Sequence, residues 1–133
     1  MDNCIFCKII KNEIPSEKIY EDKNFLAFLD IEPVSVGHIL IIPKKHVVWM
    51  QEAENETISE IFLLSKKLMS SIIKALNCDY ISLSVSGTDI PHFHIHLIPR
   101  SFKDGLAEWP KTEYKNGEKK ETANKIIAAL AHP

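Results

Sequence analysis

The sequence predicts one α+β domain over residues 1–133, with a largely antiparallel sheet of about five strands, one long helix and a short C-terminal helix. Two observations carry this. Segments with strand periodicity gather on either side of a single long helical segment, instead of alternating one by one with helices as a parallel βαβ sheet requires. The chain of 133 residues is also long enough for one ordinary domain and too short for two. Its hydrophobic fraction of 45% is enough to fill a core.

Each element follows from local pattern. Ile19-Tyr20 and Phe25–Leu29 flank the polar Glu21-Asp22-Lys23-Asn24, as the arms of a hairpin do. Gly37–Ile42 is a β-rich run that Pro43 should stop, because proline has no N–H for the ladder. Ile58, Ile61, Phe62, Leu68, Met69, Ile72, Ile73 and Leu76 recur at three- and four-residue intervals and predict the long helix. Thr57 with Glu60 reads as its capping box. Tyr80–Val85 alternates with period two, and so do Phe93, Ile95 and Leu97 before Pro99, giving two more strands. The alanine-rich Thr122–Leu130 predicts a short closing helix after a polar stretch at 101–120.

Charge and termini narrow the function classes. A net charge of −2 offers no basic excess for nucleic acid or an anionic membrane. The start, Met1-Asp2-Asn3-Cys4, has neither a basic n-region nor an apolar h-region, and no apolar run is long enough to span a bilayer. A cytoplasmic location with reduced thiols is the expectation.

The chemistry concentrates in Pro91–Arg100, PHFHIHLIPR. On a strand, alternate side chains share a face, so His92, His94 and His96 line one face while Phe93, Ile95 and Leu97 enter the core. Three readings fit such a row. It can be a solvated polar stripe. It can supply zinc ligands, with water completing an open site. Or a neutral imidazole can attack through one nitrogen while a backbone carbonyl holds the proton on the other, with neighbouring imidazoles donating to the developing charge.

Cys4-Ile5-Phe6-Cys7 is equally open as a redox pair, two metal ligands or two small buried residues. Only three residues precede it, which leaves no strand for a thioredoxin-like βαβ unit. A structural zinc needs four ligands, so two would have to come from elsewhere. Cys78 reads as a core or helix-end residue.

Pro91–Arg100 resembles the signature of the histidine triad (HIT) family, alternating histidines followed by Pro-Arg. CIFCKIIKNEIPSEKIYED and FLAFLDIEPVSVGHILIIPKKH resemble two further blocks of that family, in the same order. The resemblance implies a HIT-like fold and a nucleotide-binding hydrolase or transferase acting at an α-phosphorus. Its substrates would be purine nucleotide derivatives such as adenosine phosphoramidates or dinucleoside polyphosphates, with AMP as a ligand. It implies that His94 is the nucleophile, that His96 hydrogen-bonds the phosphoryl oxygens and that His38 lies against the triad. Asp30 would take the ribose hydroxyls, which suits a carboxylate accepting two hydrogen bonds, and Ile31 the nucleoside.

By the same analogy Cys4, Cys7, His46 and His92 would hold a structural zinc, closed to water. A two-fold homodimer is implied too, with Trp109 reaching towards the partner's site. The sequence departs from the family before the triad: Gly87 is followed only by Thr88-Asp89-Ile90-Pro91 where relatives carry a longer Gly-Gln loop. Ser86 stands where asparagine is common, and Ser86 and Thr88 are left as the loop's phosphate contacts. Missing donors to an oxyanion can each cost about 10²–10³ in rate. This feature favours the alternative of a zinc-stabilised binding module with little catalysis.

Overall fold

The computed structural model describes residues 3–107 and 110–131. Strands β1 (Lys18–Glu21), β2 (Phe25–Leu29), β3 (Ile39–Pro43), β4 (Tyr80–Ser84) and β5 (Ile95–Arg100) form one antiparallel sheet in the order β1-β2-β3-β5-β4. Helix α1 covers Ile5–Ile10, α2 Asn55–Leu76 and α3 Glu118–Ala131. The predicted hairpin is β1–β2. Its turn is closed by Asp22, whose Oδ1 accepts from the N–H groups of Asn24 and Phe25 at 2.7 and 2.8 Å, the local bond that makes Asp a turn residue.

Both faces of the sheet are covered, and this positions everything that follows. On one face Ala27, Ile41, Phe93, Ile95 and Leu97 meet Ile61, Leu64, Leu68 and Ile72 of α2. These α2 positions are spaced by three or four residues and form one stripe. On the other face Leu26, Phe28, Leu40 and Ile42 pack against Cys4, Phe6 and Ile9, on and beside α1. His38, His92 and His94 are buried on this second face, at 3%, 0% and 1% exposure. The histidine row is therefore no solvated stripe.

Several elements differ from expectation for identifiable reasons. Helix α2 begins at Asn55, two residues before Thr57, with Glu54 at the N-cap making no side-chain cap bond. Glu54 instead binds Lys45 Nζ at 2.6 Å, so the predicted capping box is not used. The helix ends as Asn77 turns left-handed (φ 55°) and its N–H reaches Ile73 O at 2.8 Å, a conformation asparagine tolerates better than most residues. Phe62, Ile73 and Leu76, counted in the apolar face, are exposed at 37%, 38% and 44%, whereas the buried stripe includes Leu64 and Ser65.

Strand β3 ends at Pro43 as expected, with the proline as its last residue, whereas β5 runs through Pro99 to Arg100. Pro99 pairs with Ile81 of β4, while the pairing of β5 with β3 ends at Leu97, so no ladder N–H is required on that side. Strand β5 begins only at Ile95, yet the alternation continues back to His92. Helix α3 buries no side chain against the described residues. Ile126, Ile127 and Leu130 are 58%, 62% and 74% exposed, so it does not close the core. Trp109 lies outside the described residues.

Candidate functional site

Helix α1 has six residues, too few to stand alone in water. Its N-cap is Cys4, whose sulfur accepts from the Cys7 N–H at 3.4 Å. A spacing of three residues places both sulfurs on the same side of the first turn. Opposite them come His46, just after β3, and His92, just before β5. Cys4 Sγ lies 3.3 Å from His92 Nδ1, Cys7 Sγ 3.3 Å from His46 Nδ1 and 3.6 Å from His92 Nδ1, and the two Nδ1 atoms are 3.2 Å apart.

These four groups could hold a metal ion. Tetrahedral zinc, with Zn–N about 2.0–2.1 Å and Zn–S about 2.3 Å, has N···N edges of roughly 3.4 Å and N···S edges of roughly 3.6 Å. The cluster matches those edges. Its tautomer also fits: His92 Nε2–H donates to Pro43 O at 2.8 Å, which leaves Nδ1 with a lone pair for a ligand. Burial holds His92 down at about 4, so its imidazole is neutral. Burial and the adjoining Cys4 push the Cys7 thiol up to about 11, and a metal would have to displace that proton.

Two residues along, the same side-chain type is held differently. His94 Nδ1–H donates to the backbone oxygen of His92 at 2.7 Å, so the free lone pair is on Nε2. Asp89 Oδ1 lies 3.7 Å from that Nε2. At His96 a relay sets the protons. Val34 N–H donates to His38 Nδ1 at 3.0 Å, which places the His38 proton on Nε2, 2.9 Å from His96 Nδ1. His96 Nδ1 is then the acceptor, and its own proton sits on Nε2 as a donor. Burial lowers the pKa of both His38 and His96, with neighbouring histidines adding to the effect at His96, so the relay is neutral.

Asp30 Oδ2 stands 3.6 Å from His38 Nε2, and Asp30 Oδ1 accepts the Glu32 N–H at 2.9 Å. Asp30, His38 and His96 also cluster closely enough to hold an ion. Their nitrogens facing one another are already donor and acceptor, so the group reads as a hydrogen-bond relay. The triad does not converge on one ion: His92 turns Nδ1 to the cysteines, and His94 spends its Nδ1–H on a carbonyl.

His94 and His96 open onto a cavity of about 280 Å³. One wall is apolar, with Ile5, Ile9, Ile14, Phe28 and Leu40, and Phe6 packs edge-on against His94 with ring centres 5.1 Å apart. Asp30 and Ile31 line it, as their place beside β2 allows. His38 stands behind His96. Ser86 and Thr88 are exposed and do not line the cavity; Asp89 and Ile90, further along the short loop, take that position. Sequence reasoning missed Asp89, Ile90, Ser16 and the apolar residues of α1. Only Phe6 and Ile9, three apart on α1, left a helical signal.

Known proteins match this architecture. The HIT domain family model matches residues 11–103. The chain is 41% identical to the adenosine 5'-monophosphoramidase HNT1 of Saccharomyces cerevisiae, over 83% of this chain and 72% of that one. A crystal structure of a HIT family member from Bacillus subtilis superposes with a TM-score of 0.82 at 36% identity, covering 95% of this chain and 96% of the other. A zinc-bound histidine triad family protein from Mycobacterium smegmatis superposes with a TM-score of 0.76 at 26% identity, over 96% and 98% of the two chains. With the family model spanning most of its length and the alternating histidines set on the matching sheet, this chain belongs to the HIT domain family.

Proposed function

We propose that this protein hydrolyses purine nucleotide derivatives at the α-phosphorus through a nucleotidyl-His94 intermediate, with nucleoside phosphoramidates as the leading substrate class. The observation carrying this is the proton placement at His94. Its Nδ1–H is held by the His92 carbonyl, and the Nε2 lone pair is left at a cavity able to admit a nucleotide. The apolar wall takes the base, and Asp30, with Ile31 beside it, takes the ribose. Nε2 attacks phosphorus, the P–N bond breaks and the amine leaves with a proton from solvent. The His96 Nε2–H donates to a phosphoryl oxygen, held in that tautomer by His38. Water then cleaves the His94–phosphorus bond, releasing the nucleoside monophosphate and regenerating the imidazole. The monophosphoramidase name of the yeast relative supports the substrate class.

Cys4, Cys7, His46 and His92 hold a structural zinc in this reading. Four protein ligands leave no position for water, so the ion contributes stability alone. The protein works in the cytoplasm as a homodimer, a reading supported by Phe62, Leu63 and Ile73 standing exposed on α2. Sedimentation of the purified protein tests the dimer. Neither nucleic acid nor membrane is a partner in this reading; among the described residues no helix is long and apolar enough to cross a bilayer.

The test is His94→Ala. Turnover of adenosine 5'-phosphoramidate should fall by about 10³-fold or more, while AMP still binds and the protein stays folded. Retained turnover would remove His94 from the mechanism. One observation favours a second reading, a nucleotide-binding module with little catalysis: a carboxylate, Asp89, faces Nε2 where a neutral donor would help a phosphoryl group. Wild-type protein that binds AMP but turns over neither phosphoramidates nor diadenosine polyphosphates would establish that alternative.

A further inference from the structure

Ser16 is the unexplained polar group of the cavity. Its Oγ is buried and has no hydrogen-bond partner among the described residues, and the residue lines the same cavity as Asp30, His94 and His96. A buried hydroxyl left unpaired is destabilising, and native proteins rarely leave one so. Its place follows from the sheet register. Lys18 stands opposite Phe28, and the Leu29 N–H reaches Glu17 O at 3.0 Å. Continuing that antiparallel register sets Ser16 directly across from Asp30. Side chains of directly opposed residues project to the same face and lie within about 5.5 Å.

The two groups are complementary. The Asp30 carboxylate only accepts, and already accepts from Glu32 N–H on Oδ1. The Ser16 hydroxyl both donates and accepts. A vicinal diol needs both kinds of partner: its protons go to a carboxylate, and one of its oxygens can accept in turn. The two residues preceding Ser16 on the cavity wall, Ile14 and Pro15, have apolar side chains, and no other side chain among the described residues bonds the hydroxyl.

We infer that Ser16 is a second ribose contact, donating to a sugar hydroxyl whose proton Asp30 accepts, and that the pair makes this site selective for ribonucleotides over deoxyribonucleotides. The inference rests on the nucleotide-binding reading above. It makes Ser16 a specificity residue that stands apart from the reacting atoms.

The experiment measures calorimetric affinity for AMP, 2'-deoxy-AMP, 3'-deoxy-AMP and purine riboside monophosphate, with wild-type metal-loaded protein and with Ser16→Ala. Ligand-free melting temperatures are recorded beside them. Ser16→Ala should weaken AMP by roughly 2- to 12-fold, the range for one neutral hydrogen bond. It should leave one of the two deoxynucleotides nearly unchanged, so that the ribose-to-deoxyribose preference shrinks by the same factor. The ligand-free melting temperature should hold or rise, because the substitution removes an unpaired buried hydroxyl. Equal weakening of AMP and both deoxynucleotides, or no weakening at all, would overturn the sugar contact. A change confined to the AMP-to-purine-riboside ratio would move Ser16 to the base edge and overturn it likewise. A fall in ligand-free melting temperature would give the hydroxyl a structural partner and do the same. Wild-type protein that binds none of these nucleotides would overturn the functional reading itself, an outcome distinct from all the others.

Discussion

His92 and His94 are two residues apart on one face, equally buried, and held for opposite tasks. His92 gives its Nε2–H to Pro43 O and turns Nδ1 to two sulfurs and a second imidazole. His94 gives its Nδ1–H to the main chain and turns Nε2 to the cavity. Residue type, spacing and burial are the same, so none of them sets the difference. The backbone oxygen that takes each ring's proton sets it, because a neutral imidazole has one donor nitrogen and one acceptor nitrogen. The first ring is left with a free Nδ1 facing the sulfurs and the second with a free Nε2 facing the cavity, as the proposed metal-ligand and nucleophile roles require.

The largest effect that can sharpen this contrast is expected at the metal end. Structural zinc contributes on the order of 10 kcal/mol in small zinc peptides, and a fraction of that would dominate here. Chelation, or Cys7→Ser, should lower the melting temperature by about 10 °C or more and open the amides of α1 to hydrogen exchange. A metal-free protein with the same melting curve and the same protection over Ile5–Ile10 would sink the structural role.

A smaller effect is expected at the catalytic end. Asp89 holds a carboxylate 3.7 Å from His94 Nε2, in the space a phosphoryl group must approach. It is 70% exposed, so its repulsion acts through a solvent-like dielectric and is worth about 1 kcal/mol at this range. Asp89→Asn should therefore raise kcat/KM for a phosphoramidate by roughly five-fold, with melting unchanged. A fall in kcat/KM would instead make Asp89 a contributor to the reaction.

The smallest expected effect is on pH dependence. Burial depresses the His38 pKa below its ordinary value near 6.5, so the folded state binds this proton less readily than the unfolded chain does. Its contribution to stability is full above about pH 6.5 and is lost as pH falls below that. Metal-loaded wild type should lose melting temperature between about pH 6.5 and 5, and His38→Gln should lose less. Parallel curves for the two proteins would show that His38 does not carry this dependence.

Much of the fold was legible because it rests on periodicity. Phe93, Ile95 and Leu97 alternate with the histidines in sequence, and in the structure they face α2 while His92 and His94 face Phe6. The three-and-four spacing of Ile61, Leu68 and Ile72 likewise placed one face of α2 on the sheet. Helix α1 was not legible, since six residues capped by a cysteine carry no Ser, Thr, Asp or Asn signal. The partnership of Cys4 and Cys7 with His46 and His92 depends on how β3 and β5 bring residues 46 positions apart together. Family resemblance named that set; local pattern could not. Asp89 and Ser16 were invisible for a related reason: one depends on the path of a loop, the other on strand register.

The bond from His94 to residue 92 has a consequence for how freely the chain can be rewritten. What His94 takes from residue 92 is a main-chain oxygen, which every amino acid carries. The imidazole at position 92 can therefore be exchanged without touching the His94 Nδ1 proton, provided something else keeps the backbone there in place. Phe93 N–H bonded to Val47 O at 2.7 Å, and His92 N–H bonded to Ile90 O at 2.8 Å, already do part of that holding. A redesign that fills the space of Cys4, Cys7, His46 and His92 with apolar side chains is thus compatible with an intact His94. The two ends of the histidine row are separable by engineering, although one short segment leading into β5 carries both.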